Sequence, residues 1–385
     1  MRGYRFTKKY FTYFKNMYSF MVYSSLKIFF RRKKNGDKLL LVNLATIGDL
    51  IISSVFFKNE KVIPHKEIHF LIQKQFYDIF KDYAGIIKVL CVNYSFYKWI
   101  IPYRIYFLIR LRKNNYHTAV NLAHNRFIPS DEISLLSGAN RIIAVSLETR
   151  MLPKLFKGKI NKEYNHIYYK DKKIEIEKYL DLIRLWSGEI PSNETIFFLN
   201  EQTKKNIELR YNFCKNHNVI TIGISASNKL KIWQLENYVK LISKLIKNKR
   251  NIVILLGISK DRKAVSEITN KFYNGQIINL TGRLSIRESA ALINISKLYI
   301  GNDSGLLHIA KALKVPTIGI VGGGSFGLFH PYNNDQLHKL VYNKLDCFGC
   351  EWICKYNNPL CITEVSTDDV IQCIKSIPRI RNLIL

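Results

Sequence analysis

Leu298-Tyr299-Ile300-Gly301-Asn302-Asp303-Ser304-Gly305-Leu306-Leu307-His308-Ile309-Ala310-Lys311-Ala312-Leu313 runs from three apolar residues through a polar turn into a helix-like segment. That is the order of a buried strand, a loop and a helix. Ser304 and Gly305 fall where the first backbone N–H groups of a helix have no partner of their own, so an anion there gains hydrogen bonds and the positive end of the dipole. Gly305 lets a ligand approach the backbone. His308, one turn further on, is within reach of a second phosphate oxygen or a sugar hydroxyl. The competing reading is that Asp303 or Ser304 simply N-caps a helix. The spacing argues against a serine hydrolase: the order here is Gly-x-x-Ser-Gly, whereas a nucleophile elbow needs Gly-x-Ser-x-Gly.

The same strand–loop–helix order repeats outward from this stretch. Upstream come an apolar run at 220–224, a helical pattern at 234–247, a run at 252–256 closed by Gly257, a helical pattern at 262–273 and a run at 276–280. Ser285 and Glu288 form a capping box for a helix running to Asn294. Downstream, Pro316 stops the helix and a run at 317–321 leads to Gly322-Gly323-Gly324. A first series opens at Lys38, with strands expected at 39–42, 68–72, 87–90, 118–122 and 142–145 and a helix at 50–57. Residues 153–173 are polar and irregular, a helix is expected at 174–186, and Gly188 and Pro191 mark a linker at 189–203. Such alternation predicts an α/β protein of doubly wound parallel sheets, with ligands at the carboxyl ends of the strands. A length of 385 residues and 47% hydrophobic content suit two domains, at 37–195 and 196–362.

The formal charge of +31, from 60 Lys+Arg against 29 Asp+Glu, suits a polyanionic partner. It also suits an AT-rich coding sequence, which enriches Lys, Asn, Ile and Tyr, or a protein that handles phosphorylated substrates. No zinc-finger spacing of the Cys2His2 kind, RNP-like motif or heptad-linked basic region is present. No nucleic acid is therefore expected, and a nucleotide- or nucleic-acid-binding protein without transfer activity is the alternative, carried by charge alone. Of the seven cysteines, Cys91, Cys214 and Cys373 are scattered, while Cys347, Cys350, Cys354 and Cys361 crowd together. Such crowding serves a zinc site, disulfides or plain packing.

Residues 1–36 are a segment apart. Tyr4, Phe6, Tyr10, Phe11, Tyr13, Phe14, Tyr18, Phe20 and Tyr23 interleave with Arg5, Lys8, Lys9 and Lys15, and Phe29-Phe30-Arg31-Arg32-Lys33-Lys34 closes it. The apolar run 17–30 carries Lys27 and falls short of the ~20 residues a bilayer span needs. It also lacks a signal-peptide cleavage site. The segment reads as an interfacial helix on an anionic membrane surface, or as an extra helix packed on the first domain.

Three loops that follow strands carry the chemistry. In Ala45-Thr46-Ile47-Gly48-Asp49, Gly48 permits a tight turn, and Asp49 is either a general base or an N-cap. Ser225-Ala226-Ser227-Asn228-Lys229-Leu230-Lys231-Ile232-Trp233 gathers hydroxyls and cations, with Lys231 suited to neutralise a leaving diphosphate and Lys229 read as solvated. The third is the turn at Gly301–His308.

Asn43-Leu44-Ala45-Thr46-Ile47-Gly48-Asp49, Lys231-Ile232-Trp233, Leu280-Thr281-Gly282 and Gly301-Asn302-Asp303-Ser304-Gly305 with His308, in that order between residues 39 and 361, resemble family 9 glycosyltransferases, the family of the lipopolysaccharide heptosyltransferases. The resemblance implies a GT-B fold of two facing Rossmann-like domains with an interdomain cleft, and a C-terminal helix (363–385) packing back on the first domain. It implies inverting sugar transfer with no cofactor and no catalytic metal. The donor it implies is a nucleotide sugar of the ADP-heptose kind, and the acceptor a lipid-linked envelope glycan at the cytoplasmic face of the inner membrane. Carried over residue by residue, Asp49 is the base. Ser227, Lys231, Thr281, Asp303, Ser304, Gly305 and His308 hold the donor, and Thr46, Gly48 and Arg126 lie on the acceptor side. The chain departs from the family pattern at Asn43, usually Arg or Lys, and at Asn121, usually Asp.

Overall fold

The computed structural model describes residues 2–32, 36–83, 85–147, 152–168, 173–212, 216–272, 275–333, 336–356 and 358–384, with backbone alone for 2–13. The side chains of Tyr4, Arg5, Phe6, Lys8, Lys9, Tyr10, Phe11 and Tyr13, together with Lys33, Lys34 and Cys214, lie outside the described residues. The chain divides into two compact units: Met1–Asp171 with Glu177–Ser192, and Lys172–Ile176 with Asn193–Leu385.

The first unit holds strands β1 Lys38–Val42, β2 Ile68–Gln73, β3 Lys88–Val92, β4 Tyr116–Asn121, β5 Arg141–Ala144 and β6 His166–Ile167. All are parallel, in the order β3-β2-β1-β4-β5-β6. The second holds β7 Asn218–Gly223, β8 Asn251–Leu256, β9 Ile277–Asn279, β10 Leu298–Asn302, β11 Thr317–Ile320 and β12 His338–Val341, ordered β12-β11-β10-β7-β8-β9 and again parallel. A strand covered on both faces reads as a continuous apolar run, which is why the central strands were legible. β6 and β12 were not expected: one is two residues long, and the other, His-Lys-Leu-Val, has no apolar run.

Each sheet reverses direction where two neighbouring strands send their connections opposite ways, between β1 and β4 and between β10 and β7. Crevices at the carboxyl ends of strands form at these switch points. An asparagine ends a strand beside each one. The Asn43 amide donates to Ser53 Oγ at 2.8 Å and its Oδ1 accepts from Ala45 N at 3.1 Å. Asn121 donates to Ser130, Asp131 and Tyr164 at 3.1–3.2 Å. Asn302 donates to the Ile224 carbonyl at 2.7 Å and accepts from Trp233 N and the Tyr238 hydroxyl. All three are fully buried. They fix the loops on which the sequence motifs sit.

The N-terminal helix Arg2–Lys27 buries Phe20, Val22, Tyr23 and Leu26 in the first unit's core. The closing helix Thr367–Lys375 places Val370, Ile371 and Ile374 in the core of the second unit, where its apolar stripe meets the helix Leu235–Leu245. The expected helix at 50–57 is two short ones, Ile47–Ile52 and Val55–Lys58, and the irregular stretch after Pro153 contains the helix Lys154–Asn161.

One buried polar cluster ties the first unit's helices together. Arg104 Nη1 lies 3.2 Å from Glu132 Oε2, the Tyr97 hydroxyl donates to Glu132 Oε1 at 2.7 Å, and Arg104 Nη2 donates to the Lys98 carbonyl at 2.7 Å. Burial pushes the Glu132 carboxyl up from 4.5 to about 7, partly offset by Arg104 and the Tyr97 hydrogen bond. A carboxyl that is harder to ionise when folded stabilises below its unfolded value and loses that contribution as pH rises through the folded one. Wild-type stability should therefore fall by up to about 3 kcal/mol between pH 4.5 and 7 from this group. Glu132→Gln should match the wild type in acid and lack that part of the fall, read by thermal melts across pH. Parallel melting curves for the two proteins would disprove the assignment.

Candidate active site

In the second unit, the loop after β10 and the loop after β7 meet at the switch point. Trp233 is fully buried; its indole N–H donates to the Val365 carbonyl at 2.8 Å and its backbone N–H to Asn302 Oδ1 at 3.0 Å. This anchor explains the Lys-x-Trp spacing, because two residues earlier Lys231 Nζ lies 2.7 Å from Asp303 Oδ2. Tyr299 passes beneath both loops, and a Cβ on Gly223 or Gly301 would stand 2.1 or 2.5 Å from its hydroxyl oxygen. Glycine at those two positions makes room for the phenol.

Asp303 is the hub. Besides Lys231, its carboxylate accepts from the Ser325 hydroxyl and from His330 Nε2 at 3.1 Å, with His308 Nε2 at 3.6 Å. Burial would push this carboxyl up, but Lys231 and the two imidazoles more than offset it and hold it well below the usual carboxylate range. His308, His330 and Tyr332 form a stack with ring centroids 5.5–5.9 Å apart. His308 Nδ1 meets the Tyr332 hydroxyl at 2.6 Å. Burial pulls the His330 imidazole down to about 4, against the opposing pull of Asp303. It is therefore neutral at physiological pH, and the ionised Asp303 makes its Nε2 the donor.

The start of the helix Gly305–Ala312 decides between a cap and an anion site. Ser304 stands at the N-cap position with extended backbone, yet its side chain makes no capping bond. Asp303 is committed to Lys231, Ser325 and the histidines. The N–H groups of Gly305 and Leu306 have no hydrogen-bond partner among the described residues. The lysine beside them keeps 17% of its side chain exposed, and an ammonium carries three donors, of which Asp303 takes one. Lys231 also lies 5.2 Å over the Trp352 ring, and Trp352 Nε1 donates to Ser325 Oγ at 3.3 Å.

The structure thus brings Lys231, Asp303, Ser304, Gly305 and His308 together, although His308 faces Asp303 and Tyr332 from a buried position. Ser227 is exposed on the loop after β7. Thr281 is buried on the loop after β9, where Gly282 takes φ +68° and donates to the Gly257 carbonyl at 2.9 Å. His330, Ser325, Tyr332 and Trp352 were not anticipated. The available signal was Gly322-Gly323-Gly324, where a Cβ would run into Trp352 or Phe348.

In the first unit, Asp49 sits in the first turn of Ile47–Ile52, half-buried, at the switch point beside β1. Its Oδ2 accepts from the Thr46 backbone N–H at 3.1 Å and hydroxyl at 2.6 Å. Thr46 is therefore the N-cap, and Asp49, at the third helical position, serves the helix start as its capping-box partner with a half-buried carboxylate. Gly48 is part of the same turn. Arg126 requires a correction as an acceptor contact. It is fully buried, paired with Asp131 at 3.1 Å, bonded to Asn161 and the Leu147 carbonyl, and stacked 4.8 Å over Tyr164. A guanidinium enclosed this way stiffens the loop after β4.

The cysteines Cys347, Cys350, Cys354 and Cys361 are all free thiols. Among the described residues, the cluster whose ligand atoms approach to metal-binding distance is Asp303, His308 and His330, within 4.8 Å of one another. The Lys231 ammonium already neutralises that carboxylate, so a second cation there would meet direct repulsion.

The family model for Glycosyltransferase family 9 (heptosyltransferase) matches residues 110–354. The chain is 25% identical to lipopolysaccharide heptosyltransferase 1 of Campylobacter coli over 353 residues, covering 88% of this chain and 98% of that protein. In fold it is similar to the family 9 glycosyl transferase of Veillonella parvula, with a TM-score of 0.74 at 15% identity over 90% of this chain and 99% of that one. It is likewise similar to an E. coli heptosyltransferase solved with ADP-2-deoxy-2-fluoro heptose, with a TM-score of 0.62 at 16% identity over 88% and 99%. These neighbours share the GT-B architecture of two Rossmann-like domains.

Proposed function

Because the chain belongs to glycosyltransferase family 9, we propose that this enzyme of lipopolysaccharide biosynthesis moves heptose from ADP-heptose onto a lipid-linked envelope glycan, with inversion and without a catalytic metal. The acceptor hydroxyl oxygen attacks the anomeric carbon as the bond to the β-phosphate oxygen breaks. The hydroxyl proton passes to Asp49, and ADP departs. Lys231 and the Gly305 and Leu306 N–H groups take up the charge that grows on the diphosphate. Asp303 holds Lys231 in place, and Ser304 and His308 complete the donor turn. Ser227 and Thr281 serve the nucleotide from the neighbouring loops, and Thr46 and Gly48 set the base from the acceptor side.

The observation that supports the donor assignment best is the pairing of an uncapped helix start with a lysine fixed beside it by a buried aspartate. A surface lysine at a capped helix would offer neither the open N–H groups nor the fixed charge. Purified protein should release nucleoside diphosphate from ADP-heptose in preference to UDP- and GDP-sugars when given a truncated lipopolysaccharide acceptor. Turnover of a different nucleotide sugar would remove the heptose assignment. Tight, salt-sensitive oligonucleotide binding with no turnover of any nucleotide sugar would favour the binding-protein alternative instead.

A further inference from the structure

The short helix Tyr94–Trp99 and the helix Ile101–Arg112 carry Phe96, Trp99, Ile100, Ile101, Tyr106 and Ile109 at 38–58% exposure. Arg104 and Leu108 face inward and are fully buried, so the opposite side, with Tyr106, Ile109, Arg110 and Lys113, is the solvent side. This pair of helices joins the N-terminal helix directly. Tyr18 stacks on Trp99 at 6.1 Å, and Lys15 Nζ lies 5.6 Å over the same ring. On the N-terminal helix, Phe14 and Met21 are seven residues apart, which puts them on one face, and they are 73% and 58% exposed. Ile28 and Phe29, just past its end, are 72% and 80% exposed.

The segments that carry these residues hold charge of one sign, and Glu163, from elsewhere in the first unit, pairs with Lys27 beside Ile28 and Phe29. Residues 1–36 and 83–130 contain no Asp or Glu. Lys98 Nζ lies 4.1 Å over Tyr94, and the like-charged Lys15 approaches it closely enough for the two ammonium groups to repel. Protein interfaces are depleted of lysine, whereas the headgroup layer of an anionic bilayer accepts aromatic rings, aliphatic tips and cations together. No helix of the described residues is long and apolar enough to cross a membrane, so contact would be with one leaflet.

We propose that the Tyr94–Lys113 helices, joined through Trp99 to the outer face of the N-terminal helix, form one surface that seats this enzyme on an anionic bilayer. The acceptor side of the reading above fits this, since a lipid-linked glycan resides in that layer, but the surface stands on its own residues. Phe96, Tyr106 and Ile109 enter the headgroup layer, and Lys15, Lys98, Arg110 and Lys113 meet lipid phosphates.

Full-length protein should co-sediment with vesicles of phosphatidylcholine containing about a third phosphatidylglycerol at least about tenfold better than with pure phosphatidylcholine, and less well in high salt. Tyr106→Ser/Ile109→Glu, which removes the apolar tips, and Arg110→Glu/Lys113→Glu, which reverses the charge, should each lower that binding about tenfold with unchanged circular dichroism. Both variants should keep wild-type ADP release with a delipidated, water-soluble acceptor. Variants that sediment like the wild type, or a wild type that stays in the supernatant, would overturn the proposal. So would a wild-type dimer that these substitutions dissociate, because a second copy would then cover the face. A wild type that releases no ADP with any acceptor counts against the transfer reaction, and the sedimentation result would still decide the membrane surface.

Discussion

Asp49→Asn should lower turnover about 10²–10⁴-fold while leaving ADP binding at its wild-type strength. The amide is nearly isosteric and can still accept a bond from the Thr46 N–H through its carbonyl oxygen, so the turn Ile47–Ile52 should persist. What it loses is a basic oxygen for the proton of the acceptor hydroxyl. A residue whose role were only to cap the helix would leave both turnover and stability close to wild type, because asparagine caps a helix about as well as aspartate. Thermal melts, calorimetric ADP binding and steady-state rates on the same preparation separate the two. Wild-type turnover by this variant would remove Asp49 from the mechanism.

Asp303→Asn should be the most damaging single change in the second unit. The carboxylate is fully enclosed and neutralises Lys231 while accepting from Ser325 and His330. Removing its charge leaves a largely buried ammonium without a counter-ion and turns an acceptor-only group into one whose amino half opposes other donors. Breaking a buried pair by one partner typically costs about 3–5 kcal/mol. Donor affinity should fall as well, because Lys231 no longer has a fixed position beside the helix Gly305–Ala312. Titration calorimetry with ADP should show at least about a tenfold weaker Kd, a loss near 1.4 kcal/mol. Conversely, a variant that melts with the wild type and binds ADP equally well would show that Asp303 positions nothing.

The two units differ in how far their residues announced this arrangement. That Lys231, Asp303, Ser304 and Gly305 lie together was legible because each belongs to a short segment with its own local logic: a strand end, a glycine turn, a helix start. Local logic also put Asp49 at a helix start, where the structure makes Thr46 the N-cap and Asp49 its capping-box partner. Arg126 shows the opposite case. A cation following a strand reads as a contact for an anion, and nothing within five residues reveals that Asn161 and Tyr164, more than thirty positions away, will enclose it. His330 was invisible for a related reason. Its role depends on a carboxylate 27 residues upstream and on stacking with His308 and Tyr332, and no periodicity encodes such a meeting. β6 and β12 escaped because a two-residue strand and a half-polar edge strand need little apolar sequence. The N-terminal helix was read in part. Its amphipathic pattern fits a packed helix and a membrane-facing one, and Phe20 and Tyr23 inside with Phe14 and Met21 outside give each reading one face.

The most direct test of the central claim is a single-turnover experiment in which purified enzyme, ADP-heptose and a defined truncated lipopolysaccharide acceptor are mixed and both products are followed. One ADP released for each acceptor that gains the mass of one heptose, with inverted configuration at the new linkage and undiminished in the presence of EDTA, is the result predicted here. ADP-heptose bound at the Lys231–Asp303 site with no mass gained by the acceptor, or a linkage formed with retained configuration, would contradict it.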